Sequence, residues 1–234
     1  MEGTPRDRAR SQTMADIVRI GRQHLSTEGA AALSLRAVAR DLGVVSSAVY
    51  RYVASRDELL TLLVVAGYDE LGDAVDSALG KVEEGDFGAR LSAIGTTVRA
   101  WAVGEPAMYA LLFGSPVPGY HAPAERTTEP GTRVVRALVQ LWAQAYAAGA
   151  IQVPQGPPVP GSLAEAFVAV RAELGLDLPD QVLARGVLAW AALFGCISFE
   201  VFGQYGPDTF GDPAALFEHQ LRVLAETVGL TDRA

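Results

Sequence analysis

The chain has 234 residues, half of them hydrophobic, with 19 basic and 27 acidic side chains and a net charge of −8. That length and apolar content exclude general disorder and allow a sizeable core. Its one cysteine, Cys196, excludes an intramolecular disulfide and fits a reducing compartment.

Residues 1–10 carry Arg6, Arg8 and Arg10 with no apolar run behind them, so no signal peptide is expected and a cytoplasmic location follows. The stretch reads as a flexible basic arm. It is either an ordinary free terminus or an arm that touches a nucleic-acid backbone or minor groove. Residues 11–27 predict a helix, with Met14, Ile17, Val18, Gly21 and Leu25 on one face and Gly29 as its stop. His24, near that face, reads as a packed residue. Ser34 is a candidate cap for a helix over 35–42, with Leu35, Val38, Ala39 and Leu42 inward. Gly43 ends it, and a further helix is expected from about Val45 to Tyr52. Ser55 and Glu58 form a capping box that opens a long helix to about Leu79.

Beyond a break at Gly80 to Asp86, the spacing predicts helices over 87–103, 106–113, 131–148, 162–174, 179–204 and 213–228, and no strand. Asp212-Pro213 is a strong start signal for the last. Two Pro/Gly-rich loops, 115–130 and 151–161, interrupt the pattern. The longest apolar run, Gly186 to Phe199, is fourteen residues and too short to span a bilayer. The fold class expected is all-α: an N-terminal three-helix domain over 1–58 and a larger helical domain over 59–234.

The Ala39, Gly43, Val49 spacing suits a helix-turn-helix. A small residue sits where two helices cross, a glycine takes the left-handed backbone that ends the first, and a buried apolar residue fixes the second. The second helix is left projecting, ready for a DNA major groove. Charge divides accordingly. Residues 1–60 hold nine Arg against seven acidic residues, while the remainder holds ten basic against twenty acidic. The positive balance therefore lies with the motif.

The stretch from 11 to 63 resembles the DNA-binding domain of the tetracycline-repressor family. The resemblance is carried by a leading helix followed by Gly29, by Ser34-Leu35-Arg36, by Gly43-Val44, by Tyr50-Arg51-Tyr52-Val53 and by Ser55-Arg56-Asp57-Glu58-Leu59-Leu60. Trp190-Ala-Ala-Leu-Phe194-Gly195 resembles a subgroup marked by Trp-x-x-x-His-Gly, with Phe194 in place of the histidine. The family commonly has Ser or Thr where Val45 stands. Either Ser46 caps a helix that starts one residue later, or the cap is weaker by about 1 kcal/mol.

The resemblance implies a dimeric repressor that leaves a palindromic operator when a small, largely apolar ligand binds the second domain. Tyr50, Tyr52 and Arg56 are expected to hold phosphates, with Ser34 and the backbone at its helix start meeting another. Base readout falls to Arg36, Ser46, Ser47, Ala48 and Arg51, with Arg36 suited to a guanine and Ala48 to a thymine methyl. In the ligand-driven switch, the long helix 56–79 moves and changes the separation of two reading heads.

Helix 179–204 is apolar nearly all round and must be buried on both sides. It is expected to pair with helix 213–228 and their copies as a four-helix dimer interface through Val187, Ala191, Gly195, Ser198, Phe202, Phe217, Leu221 and Leu224. Trp101, Met108, Tyr109, Phe113, Trp142, Tyr146, Trp190 and Phe194 are candidates either for an apolar ligand pocket or for plain core. Glu200 reads as a wet helix end or a polar anchor.

The three histidines and one cysteine form no metal-ligand cluster, and no nucleophile elbow, Walker motif or dinucleotide fingerprint is present. An enzyme, a metal and a cofactor are therefore not expected, nor is a membrane partner. The remaining competitor is a helical protein–protein module in which the motif serves packing alone.

Overall fold

The computed structural model describes residues 4–153 and 155–231. Ten α-helices occupy the described residues: α1 Pro5–Glu28, α2 Leu35–Asp41, α3 Ser46–Val49, α4 Arg56–Leu79, α5 Phe87–Gly104, α6 Pro106–Phe113, α7 Ala124–Ala147, α8 Gly161–Leu174, α9 Asp180–Val201 and α10 Pro213–Val228. A single 3-10 turn, Ala30–Ala32, lies between α1 and α2. The only strand-like pairing among these residues is an isolated antiparallel bridge between Ile151 and Leu230. The all-α expectation holds.

Two compact units emerge. One comprises residues 1–70 and 105–131, the other 71–104 and 132–234. The expected boundary after residue 58 is therefore displaced. The first unit also takes the start of α4, all of α6 and the start of α7.

In the first unit, α1 begins earlier than its apolar face suggests. Thr4 caps it: the Thr4 hydroxyl oxygen accepts from the Asp7 amide at 3.2 Å, and the Asp7 carboxylate accepts from the Thr4 amide at 3.0 Å. Pro5 follows at the first helical position. The expected flexible arm is thus corrected from residue 5 onward, because Arg6, Arg8 and Arg10 stand on a helix; residues 1–3 lie outside the described residues.

Ile17, Ile20 and Leu25 of α1 are buried with Leu59, Leu60 and Leu63 of α4. A Cβ on Gly21 would stand 3.3 Å from Leu59 Cδ1, so the missing side chain sets how closely α1 and α4 approach. Each fully buried leucine contributes about 1.5–3 kcal/mol. At the start of α4, the Ser55 hydroxyl accepts from the Glu58 amide at 3.1 Å. The Glu58 carboxylate accepts from Ala54 at 2.8 Å, one residue ahead of the usual box partner.

The second unit packs α5, α9 and α10 together, with α8 on α9. Ile94 and Val98, Leu193 and Ile197, and Phe217 and Leu221 are its buried apolar residues on those three helices. A Cβ on Gly95 would meet Leu221 Cδ2 at 2.5 Å, and one on Gly186 would meet Trp142 at 3.2 Å. These glycines permit the close approaches within the unit; around Gly195 a Cβ would find open space in the single protomer. Asp212 caps α10 by accepting from Ala214 and Ala215, both at 3.0 Å. α7 starts at Ala124 and runs through Pro130, which the expected start at 131 avoided.

Both Pro/Gly-rich loops are tied down. The Tyr120 and Thr61 hydroxyls share a hydrogen bond at 3.0 Å within the first unit. In the second, Arg185 and Gln181 donate to the carbonyls of Gln155 and Pro157 at 2.6 and 2.7 Å.

α9 spans 22 residues, longer than the apolar run alone suggests, and by length and composition it could cross a bilayer. Val182, Leu183, Ala189, Leu193 and Ile197 are buried within the second unit, on one side of the helix.

Candidate nucleic-acid interface

The site grows from the crossing of α2 and α3. Ala39 and Val49 are each 1 % exposed. Gly43 has φ +69°, the left-handed geometry that lets the chain leave α2. Its amide donates to Arg40 O at 3.0 Å and the Val44 amide donates to Ala39 O at 3.0 Å, which satisfies carbonyls at the end of α2.

α3 is one turn long and begins at Ser46, with Val45 as its cap position. Val45 has extended backbone and no side-chain hydrogen bond to the first turn. The weaker cap is therefore the one adopted, at a cost of about 1 kcal/mol relative to serine or threonine. Ser34 likewise makes no side-chain capping bond to α2. Its hydroxyl is not used by the helix it precedes.

α1 holds this pair in place through His24, which is 7 % exposed. His24 Nε2 lies 2.6 Å from Asp41 Oδ2 at the end of α2. Hydrogen bonding from His24, and then from Arg40, holds the Asp41 carboxyl below the usual carboxylate range. The histidine is a packed residue as expected, but its partner lies 17 positions away and gives no local signal.

Arg36, Ser47, Tyr50 and Arg51 are exposed, while Ser34, Ser46, Ala48 and Tyr52 are half-buried. Neither Arg36 nor Arg51 has a carboxylate partner among the described residues. Both residues are exposed, as is Tyr50. The Arg10 guanidinium sits 5.8 Å from the centroid of the Tyr52 ring. That contact brings an arginine of α1 to the end of α3, where a free arm was expected.

Arg56 requires a correction. Its guanidinium donates to the carbonyls of Ala30 and Ala31 at 2.9 and 3.3 Å, within the first unit. It braces the turn between α1 and α2, and that is its assignment here in place of a phosphate contact.

The expected aromatic group divides between the two units. In the first, Met108 and Tyr109 are buried, and Phe113 packs on Tyr109 and Tyr68 with centroids 5.1 and 5.9 Å apart. A Cβ on Gly67 would meet Met108 at 2.7 Å, so this cluster is close-packed core. In the second, Trp101 and Trp142 are buried and Tyr146 and Phe194 are half-buried. The Trp101 indole N–H has no hydrogen-bond partner among the described residues.

Val187, Leu188, Phe199 and Phe202 are exposed on the outer side of α9; Trp190 is 42 % exposed although its neighbours one and two turns away, Gly186, Leu193 and Ile197, are buried, so it stands at the edge of the buried side. Phe217 and Leu221 are 3 % and 4 % exposed, turned into their own unit, so they leave the expected dimer face. Leu224 is half-buried. Glu200 is neither wet nor unpaired: Arg99 donates to both its oxygens, at 2.7 and 2.5 Å.

A projecting, cation-bearing helix-turn-helix on a small helical unit, followed by a larger helical unit, defines a DNA-binding regulator. Residues 91–224 match the model of the tetracycline-repressor-like C-terminal domain. HTH-type transcriptional regulators of Mycobacterium tuberculosis and Mycobacterium bovis are 49 % identical to this chain over 222 residues, covering 95 % of it and 94 % of each relative. The crystal structure of the regulatory protein SCO4313 superposes with TM-score 0.76 at 34 % identity, covering 95 % of this chain and all of that one. A tetR-family regulatory protein from Rhodococcus RHA1 shares the fold at TM-score 0.61 and 14 % identity, with 94 % and 98 % of the two chains covered. The chain belongs to the tetracycline-repressor-like family of helix-turn-helix transcriptional regulators.

Proposed function

We propose that this regulator is a cytoplasmic homodimeric repressor, released from a palindromic operator by a small, largely apolar effector. The observation that carries operator binding is that Arg36 and Arg51 of the helix-turn-helix are exposed and have no carboxylate partner among the described residues, with Tyr50 exposed as well. Arg36 takes a base edge and Tyr50 a phosphate; Arg51, a base-reading candidate in the sequence, is assigned here to a phosphate, and Ser34, Ser46, Ser47, Ala48 and Tyr52 complete the contact surface.

One copy of α3 is a single turn and reads only a few base pairs. Two copies reading half-sites about 34 Å apart, or a multiple of that, give a usable operator. Support for pairing comes from α9. Val187, Leu188, Phe199 and Phe202 are 42–57 % exposed along one side of α9 and its C-terminal cap, an apolar surface suited to a second copy. Ala191, Gly195 and Ser198 lie among them and Leu224 of α10 completes the set.

The effector belongs to the second unit, the part matched by the family model. There, the buried Trp101 indole N–H has no hydrogen-bond partner among the described residues and offers a donor to a ligand acceptor; Trp142, Tyr146 and Phe194 are the other aromatic candidates of that unit. The signal passes along α4, which contributes residues to both units. The effector shifts the equilibrium only by its differential affinity for the DNA-bound and released states.

Selection of bound duplexes from random DNA tests the reading. A two-fold symmetric consensus, with affinity that falls by orders of magnitude from low to moderate salt, supports it. No enrichment, or enrichment without symmetry, refutes it.

A further inference from the structure

We propose that Val45 reads the 5-methyl group of a thymine in the major groove, making it a specificity-determining residue; this rests on the operator-binding reading above. Val45 is 71 % exposed, the most exposed large hydrophobic residue in the described structure, and Val44 beside it is 44 % exposed. At that exposure Val45 has little packing within the chain, whereas Val44 is more than half covered.

Local structure gives Val45 no role either. It occupies the cap position of α3 and makes no side-chain hydrogen bond there. A serine in its place would stabilise the helix. The position serves the fold poorly, and its chemistry is legible only toward a partner.

The partner's chemistry is narrow. The start of a recognition helix is the end that meets base edges. In the major groove those edges present hydrogen-bond donors and acceptors, and one apolar group, the thymine methyl. An isopropyl group branches directly at Cβ and reaches only a short way, so it selects a methyl brought close to the backbone. Ser46 and Ser47, next along the chain, supply the polar contacts that an isopropyl group lacks.

The fold permits that approach. The Val45 backbone is extended and its carbonyl accepts from the Ala48 amide at 2.9 Å. The valine is therefore held at a fixed turn, and its side chain loses little freedom on contact.

Deoxyuridine tests this with a change of one methyl group. Operator duplexes from the random selection, carrying deoxyuridine at each thymine in turn, are titrated by fluorescence anisotropy against the full chain, V45A and V45S. One thymine per half-site is expected to cost the unaltered chain about fourfold per methyl removed. V45A and V45S bind the thymine operator more weakly and no longer distinguish it from the deoxyuridine form. V45S gains the missing cap and unfolds at a higher temperature, which separates lost methyl contact from lost folding.

Indifference of the unaltered chain to deoxyuridine at every thymine overturns the assignment. So does a full deoxyuridine effect retained in V45A and V45S, which moves the methyl contact to Ala48 or elsewhere. Failure of the unaltered chain to bind any selected duplex overturns operator binding itself, a distinguishable result.

Discussion

The Arg56 guanidinium donates to the Ala30 carbonyl at 2.9 Å and so joins the first turn of α4 to the 3-10 turn that follows α1. The helix that continues into the second unit is thereby pinned to the segment that leads into the helix-turn-helix. Replacing Arg56 by alanine removes this bond and the longer one to Ala31. A loss of about 1–2 kcal/mol in unfolding free energy is expected, below the full value for charged bonds because the side chain is 31 % exposed. Arg56→Lys restores the charge without the two-pronged geometry and should recover less than half. Thermal unfolding measures both. Equal stability of all three proteins would remove the bracing role.

The His24–Asp41 contact sets an acid limit on the same unit. The Asp41 carboxyl titrates below its ordinary value of 3.8 because His24 and Arg40 hydrogen-bond to its charged form. A depressed carboxylate stabilises the folded state above the unfolded value, and that contribution disappears as pH falls through the lower, folded value. Asp41→Asn is therefore expected to be less stable than the parent at pH 7 and to differ from it less and less below about pH 4. Urea unfolding at several pH values checks the convergence. A gap that widens on acidification would refute the assignment.

Arg36 and Arg51 are expected to differ in kind. Arg36→Ala should cost about 1–3 kcal/mol on the preferred operator and relax the consensus at one position. Arg51→Ala should weaken binding to all sequences alike and reduce the salt slope by about one. Titrations of specific and scrambled duplexes at several salt concentrations separate the two. Tyr50→Phe removes one phosphate hydrogen bond and should leave the unfolding temperature unchanged.

Two glycines in the second unit should respond to alanine with opposite sign. At Gly95 the new methyl meets Leu221 at 2.5 Å, and overpacking of about 1–3 kcal/mol outweighs the roughly 1 kcal/mol gain in helix propensity. At Gly195 the methyl meets nothing within 4 Å, so the isolated protomer gains stability. Denaturant unfolding at low protein concentration, where protomers are apart, compares them. Leu221→Ala in the Gly95→Ala background should recover part of the overpacking cost.

The exposed side of α9 predicts the oligomeric state. Val187→Asp with Phe202→Asp places charges on the outer surface without touching the buried Leu193 and Ile197. A folded monomer by light scattering and circular dichroism is expected, with operator affinity reduced by orders of magnitude through loss of the second half-site. The parent chain measured as a monomer at micromolar concentration would exclude the dimer.

What could be read from the chain was local. Ala39, Gly43 and Val49 lie within eleven residues, and Asp212 and Pro213 are adjacent, so their geometry is written in spacing alone. Arg56 with Ala30, and Arg99 with Glu200, are joined across 26 and 101 positions. No periodicity marks them, because the tertiary fold makes each pair. Thr4 and Asp7 form a legible capping box, yet three arginines within the same decade outweighed it and suggested a loose arm. Pro130 misled for the opposite reason: a proline usually stops a helix, but α7 continues past the missing N–H. For α9, apolar residues all round the helix hide which side faces out.

The capped start of α1 changes the thermodynamics of any meeting with a polyanion. An unstructured arm loses about 1–2 kcal/mol of backbone entropy for each residue it orders. Arg6, Arg8 and Arg10 already stand on a helix fastened by Thr4 and Asp7, and Arg10 rests against Tyr52. Their charges are offered from a stiff rod whose backbone ordering belongs to folding. Contact there would carry a small entropic penalty and a sharp dependence on the distance and angle of the surface it meets.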